Sequence, residues 1–127
     1  SQDSVIKLAP RAGIELDEAL SPAEKLKVVQ ARMAEDDSAA ADIYSSIGTY
    51  LGHTLAYYYD LYACKHVLLL GRVMSGKGGD IVLAEAKRVL REEYPELDGK
   101  ILPTLPDEKF RRVGQSAAAA SLPELKK

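Results

Sequence analysis

Apolar residues recur along this chain at spacings of three and four in its longer stretches and run consecutively in one short stretch. The longest periodic stretch predicts a helix over about 39–62, with Ile43, Ile47, Leu51, Leu55 and Tyr58 on one stripe. A second stripe, Gly48, Gly52 and Ala56, repeats every four residues. Each interior glycine costs a helix about 1 kcal/mol relative to alanine, so this face is expected to meet another backbone at close range. Upstream, Ser21 at the N-cap, Pro22 at the first helical position and Glu24 closing a capping box predict a helix over about 22–35. Leu26, Val29 and Met33 form its apolar face, and Asp37 with Ser38 can cap the long helix. A short helix over 4–12 is limited by Pro10, and 13–20 read as a connection.

The consecutive run, His66 to Leu70, has the pattern of a strand covered on both faces. Gly71 ends it, and a glycine-rich loop extends to Gly79. Asp80 is placed to cap a helix over about 80–94 with Ile81, Ala84, Val89 and Leu90 inward; Pro95 stops it. Residues 100–104 read as a second, shorter strand, and Pro106 to Glu108 as a turn. A last helix over about 108–120 carries Phe110, Val113, Gly114 and the run Ala117–Ala120. The fold class is therefore α/β: a mostly helical chain around one short parallel βαβ unit. A doubly covered strand wants a neighbour on each side, and only one is legible. The sheet is expected to be completed by the remainder of a larger polypeptide or by a second copy.

With 127 residues, 46% hydrophobic and 28% charged, the chain can bury a real core as one domain. That composition excludes disordered, collagenous and disulfide-scaffold classes. A pI near 5.7 and a net charge of −2 argue against a nucleic-acid contact. The charge is uneven: residues 1–64 hold 5 Lys/Arg against 10 Asp/Glu, and residues 65–127 hold 12 against 9. A mildly basic second half can attract a phosphate-bearing ligand, although a solvated basic face opposite an acidic one is the simpler explanation. Cys64 is the only cysteine, and the polar start Ser1 to Ser4 has no apolar signal region, so a cytoplasmic protein is expected. The apolar-looking run from Ile43 to Tyr59 is too short for a membrane span and is bracketed by Asp42 and Asp60.

Chemistry concentrates between Gly71 and Asp80. A loop between a buried strand and a helix presents backbone N–H groups and a helix dipole to an anion, and Arg72 and Lys77 add positive charge. A plain flexible turn is the simplest alternative. A phosphate loop of the G-x-x-x-x-G-K-[ST] type fits Gly71, Gly76 and Lys77 but fails at Gly78, where a hydroxyl must hold Mg²⁺. Cys64, His66 and His53 do not make a metal site, and no nucleophile–base pair can be assembled.

Taken together, IYSSIGTYLG at 43–52, VLLLGRVMS at 67–75 and GQSAAAA at 114–120 resemble the C-terminal part of ROK-family proteins. These are sugar kinases and sugar-responsive repressors with the actin/hexokinase-like (ribonuclease H-like) ATPase fold. The resemblance covers about 40–123. It implies that Gly71, Arg72, Val73 and Ser75 border the adenosine of ATP, with Gly76, Lys77, Gly78 and Gly79 completing the loop. It also implies ATP with Mg²⁺ as the cofactor of a complete protein, and a nucleotide and a sugar as ligands. Arg72 departs from the pattern, which has a second glycine there. The family's N-terminal phosphate loop, catalytic Asp-x-Gly and zinc motif have no counterpart, so this chain is expected to be inactive by itself. The alternative reading is a non-catalytic, ligand-sensing or oligomer-supporting domain of the same fold.

Overall fold

The computed structural model describes residues 1–107; the helix expected over 108–120 lies outside them. The elements are α1 (Gln2–Leu8), α2 (Pro22–Ala34), α3 (Ser38–Tyr62), β1 (His66–Leu68), α4 (Gly76–Glu93) and β2 (Leu102–Thr104). Short 3₁₀ turns occupy Pro10–Ala12, Arg72–Met74 and Pro95–Leu97. The described residues are thus mostly helical around a two-stranded parallel sheet. No helix among them is long and apolar enough to cross a membrane.

Local sequence accounts for most helix starts. Ser21 and Glu24 form the expected capping box: the Ser21 N–H donates to Glu24 Oε2 at 2.8 Å, and the Glu24 N–H donates to Ser21 Oγ at 3.4 Å. Donation by the Ser21 hydroxyl to Glu24 Oε2 at 2.5 Å, and after it by the Ser21 N–H, holds the Glu24 carboxyl below its ordinary pKa. Asp37 caps α3, accepting from the N–H groups of Ala39 at 2.8 Å and Ala40 at 3.4 Å. The short helix expected over 4–12 divides into α1 and a 3₁₀ turn, because Pro10 has no N–H to continue the α ladder.

The centre of the fold is the α3–α4 pair, the most extensive contact between elements. A Cβ on Gly48 would lie 2.6 Å from Glu85 Cβ and 2.7 Å from the Val82 carbonyl oxygen. One turn on, a Cβ on Gly52 would lie 2.6 Å from Val89 Cβ and 3.0 Å from the Ala86 oxygen. One turn before, the large residue changes sides, and the Tyr44 ring lies against Gly78. Positions 44, 48 and 52 thus meet 78, 82 and 86 in order, so the two helices run in the same direction along a seam with almost no side-chain spacer.

One core cluster joins α1, α2 and the first halves of α3 and α4 through residues such as Val5, Val29, Ile43, Tyr44 and Val82. A second joins the later turns of α3 and α4 to Leu97 and Ile101.

Two sequence expectations need correction here. The inward face of α4 is Gly78, Val82, Ala86, Val89 and Leu90, while Ile81 is half-buried and Ala84 is exposed, because the face is set by the seam with α3. The strand expected over 66–70 is shorter and is not covered on both faces: Leu68 and Leu70 are 55% and 52% exposed, and only Leu69 is buried. Gly71, at φ +120°, turns the chain out of the strand through a conformation that side-chain-bearing residues rarely adopt.

The sheet pairs Val67 with Pro103 in a parallel register. The Leu102 N–H donates to the Lys65 oxygen at 2.6 Å, and the Leu69 N–H donates to the Thr104 oxygen at 2.9 Å. The backbone groups of residues 102 and 104 therefore face β1, and those of Pro103, which is itself buried, point away from it, with no N–H to offer another strand. By the same alternation Lys65, Val67 and Leu69 face β2, and His66 and Leu68 turn their backbone groups to the other edge of β1. Nothing blunts that edge among the described residues.

Candidate functional site

The glycine-rich segment does not form one loop around one ligand. Residues 72–74 make a 3₁₀ turn, and α4 begins at Gly76 rather than at Asp80, so Gly76, Lys77, Gly78 and Gly79 are its first turn. Asp80 is an exposed residue within the helix. Glycines weaken a helix start intrinsically; here the packing compensates. Gly78 admits the Tyr44 ring, whose Cζ would stand 2.5 Å from a Cβ. Gly79 admits the carbonyl of Met74, which an added Cβ would meet directly. Gly76 takes φ +67°, which glycine accepts without strain.

This geometry divides the expected nucleotide-binding residues into two groups. Ser75, Gly76, Lys77 and Gly78 line a cleft of about 350 Å³ at the start of α4, closed by Gln30, Met33 and Ala34 of α2 and by Tyr44 of α3. Gly71, Arg72 and Val73 line a different and larger groove of about 1070 Å³. Gly79 is buried between the turn and the helix and lines neither.

The two cations also separate. The Lys77 ammonium donates to the Ala34 carbonyl at 3.2 Å and to Asp36 Oδ1 at 2.8 Å. In this arrangement it neutralises the C-terminal end of α2 through an exposed ion pair. The Arg72 guanidinium is exposed on the larger groove, while its backbone carbonyl accepts from Gln30 Nε2 at 2.8 Å.

What the smaller cleft offers is a helix N-terminus and a tyrosine hydroxyl. The first turn of α4 contains no acidic residue, so the positive end of the helix is not offset from within. Tyr44 is fully buried, and its hydroxyl has no hydrogen-bond partner. Burial pushes its pKa up to about 12, keeping it neutral and able both to donate and to accept. The volume falls at the small end of the roughly 300–1,000 Å³ typical of small-molecule sites.

Tyr44 and Gln30 were not legible as site residues from motif reading. The signal for Tyr44 was its place four residues before Gly48, on the stripe that faces α4. Cys64 and His66 are exposed, and His53 Nδ1 lies 2.9 Å from the Tyr94 hydroxyl. No group of three or more His, Cys, Asp or Glu among the described residues is placed to hold a metal ion. Compared with protein-family models, curated proteins and solved structures, the chain matches none.

Proposed function

We propose that this chain is a segment of the C-terminal lobe of a ROK-like sugar kinase with an actin/hexokinase-like ATPase fold. It contributes the adenosine side of an ATP cleft and supplies no catalytic base. The supporting observation is the cleft at the start of α4, lined by Ser75, Gly76 and Gly78 and by Tyr44, whose buried hydroxyl has no hydrogen-bond partner among the described residues. An unpaired hydroxyl in an apolar wall costs roughly 1–3 kcal/mol, a cost that a nucleoside hydroxyl or ring nitrogen would remove. The dipole at the N-terminus of α4 favours the anionic end of such a ligand. ATP would supply the phosphoryl group transferred to a sugar hydroxyl; the residues here bind and orient, and no magnesium ligand is assigned to them.

One observation favours the alternative, a ligand-sensing domain without turnover. Both cations expected at the phosphates are turned elsewhere, Lys77 to Asp36 and Arg72 to the larger groove. Calorimetric titration with adenosine, ADP and ATP tests the site. Saturable binding that weakens about tenfold in Tyr44→Phe, and is unchanged in Arg72→Gly, is the expected result. Binding of adenosine but not of ATP supports the sensing reading. Absence of adenosine binding up to about 10 mM, a free energy near −3 kcal/mol, overturns the site.

A further inference from the structure

The larger groove runs beside β1, whose outer edge is unpaired among the described residues. Its floor is apolar, with Leu8 of α1, Ile47 and Leu51 of α3, and Leu68 and Leu70 from the β1 segment. Ile47 and Leu51 belong to the stripe that the sequence marks for a core, yet here they are only partly buried. Among the described residues the charged side chains of the lining are Lys7, Arg11 and Arg72, and none is a carboxylate. None of these three cations is in an ion pair among the described residues.

We infer that the open edge of β1 and this groove take an extended, acid-bearing strand of a partner polypeptide. Three observations select that occupant. Leu68 turns N–H and C=O groups away from β2 that another extended backbone can match, whereas Pro103 has no N–H to offer on the opposite edge of the sheet. The apolar floor receives every second side chain of such a strand. The unpaired cationic rim complements carboxylates at its end and disfavours a basic segment. An amphipathic small anion would satisfy the floor and the rim but leave the strand edge unused. The inference does not depend on the nucleotide reading, since the two sites share no lining residue.

The test is fluorescence anisotropy with a labelled peptide of alternating valine and threonine that ends in two aspartates. Controls are the same peptide ending in two lysines and a version N-methylated at alternate amides. The expected result is saturable micromolar binding of the aspartate peptide. It should weaken at least about tenfold in Lys7→Glu/Arg72→Glu, a surface variant whose fold is checked by circular dichroism. That variant should in turn prefer the lysine peptide, and N-methylation should abolish binding to the unaltered chain. Equal affinity for the two charged peptides, or indifference to N-methylation, overturns the proposal. So does displacement of the peptide by dodecanoate with no effect of N-methylation, which would assign the groove to an amphipathic anion. Self-association of the chain that excludes the peptide would assign it to a second copy and likewise overturn the proposal.

Discussion

Replacing Gly48 by alanine sets two physical effects of known sign against each other. Helix propensity alone rewards the change by about 1 kcal/mol. Against this, the added methyl would sit 2.6 Å from Glu85 Cβ, 2.7 Å from the Val82 carbonyl oxygen and 3.0 Å from Val82 Cα. Ordinary carbon contacts lie at about 3.5–4.0 Å, so α3 and α4 must separate by about 1 Å at this level. The obstructing atoms belong to α4's backbone and to a Cβ, not to the end of a flexible side chain. Overpacking costs about 1–3 kcal/mol, and the rigidity of the contact puts Gly48→Ala at the upper end. The net expectation is a destabilisation of about 2 kcal/mol, a fall in Tm of roughly 8 °C at this size. Urea unfolding followed by far-UV circular dichroism measures it, with the exposed Ala84→Gly as the reference for propensity alone, expected to cost about 1 kcal/mol. A Gly48→Ala protein as stable as the parent, with an unchanged denaturant slope, would refute the close seam.

Two further outcomes follow from the same structure. Asp37→Ala removes both N-cap bonds to the start of α3 and should cost about 1 kcal/mol in the same urea assay, with Asp37→Asn retaining most of it. Tyr44 ionises near pH 10 in the unfolded chain and at about 12 in the folded one, so above pH 10 the unfolded state gives up the proton first. Stability that this group leaves intact below pH 10 should therefore decline between pH 10 and about 12, and Tyr44→Phe should lessen the decline; urea midpoints across that range report it.

The sequence was most informative where local chemistry decides the structure. The capping box at Ser21 and Glu24 and the cap at Asp37 depend on neighbours within three residues, and both were legible. The glycine stripe also announced the close approach of a second backbone, though not which one. The start of α4 was misread for a physical reason. Four residues, Gly-Lys-Gly-Gly, have the intrinsic preferences of a loop, and their helical state is supported by the Met74 carbonyl in the preceding turn and by the Tyr44 ring, a contact 34 residues away in sequence. The apolar run at 66–70 was misread because a consecutive pattern states that a segment avoids water without stating what covers it. Among the described residues, the cover for Leu68 and Leu70 is missing. The division of the expected site residues between two cavities has the same origin: adjacency in sequence across a tight turn carries no information about which face each residue opens onto.

The contact between α3 and α4 also sets an order of unfolding. A seam of glycines against backbone cannot loosen gradually, so these two helices should open together as one cooperative unit near the global unfolding free energy. The three-residue strands, paired among the described residues only with each other, belong to the labile end of that scale. In native-state hydrogen exchange, amides around Gly52 and Ala86 should exchange last and those of β1 early. The cleft at the start of α4 is thus mounted on the slowest-opening part of the molecule, and the groove beside β1 is bordered by one of the fastest.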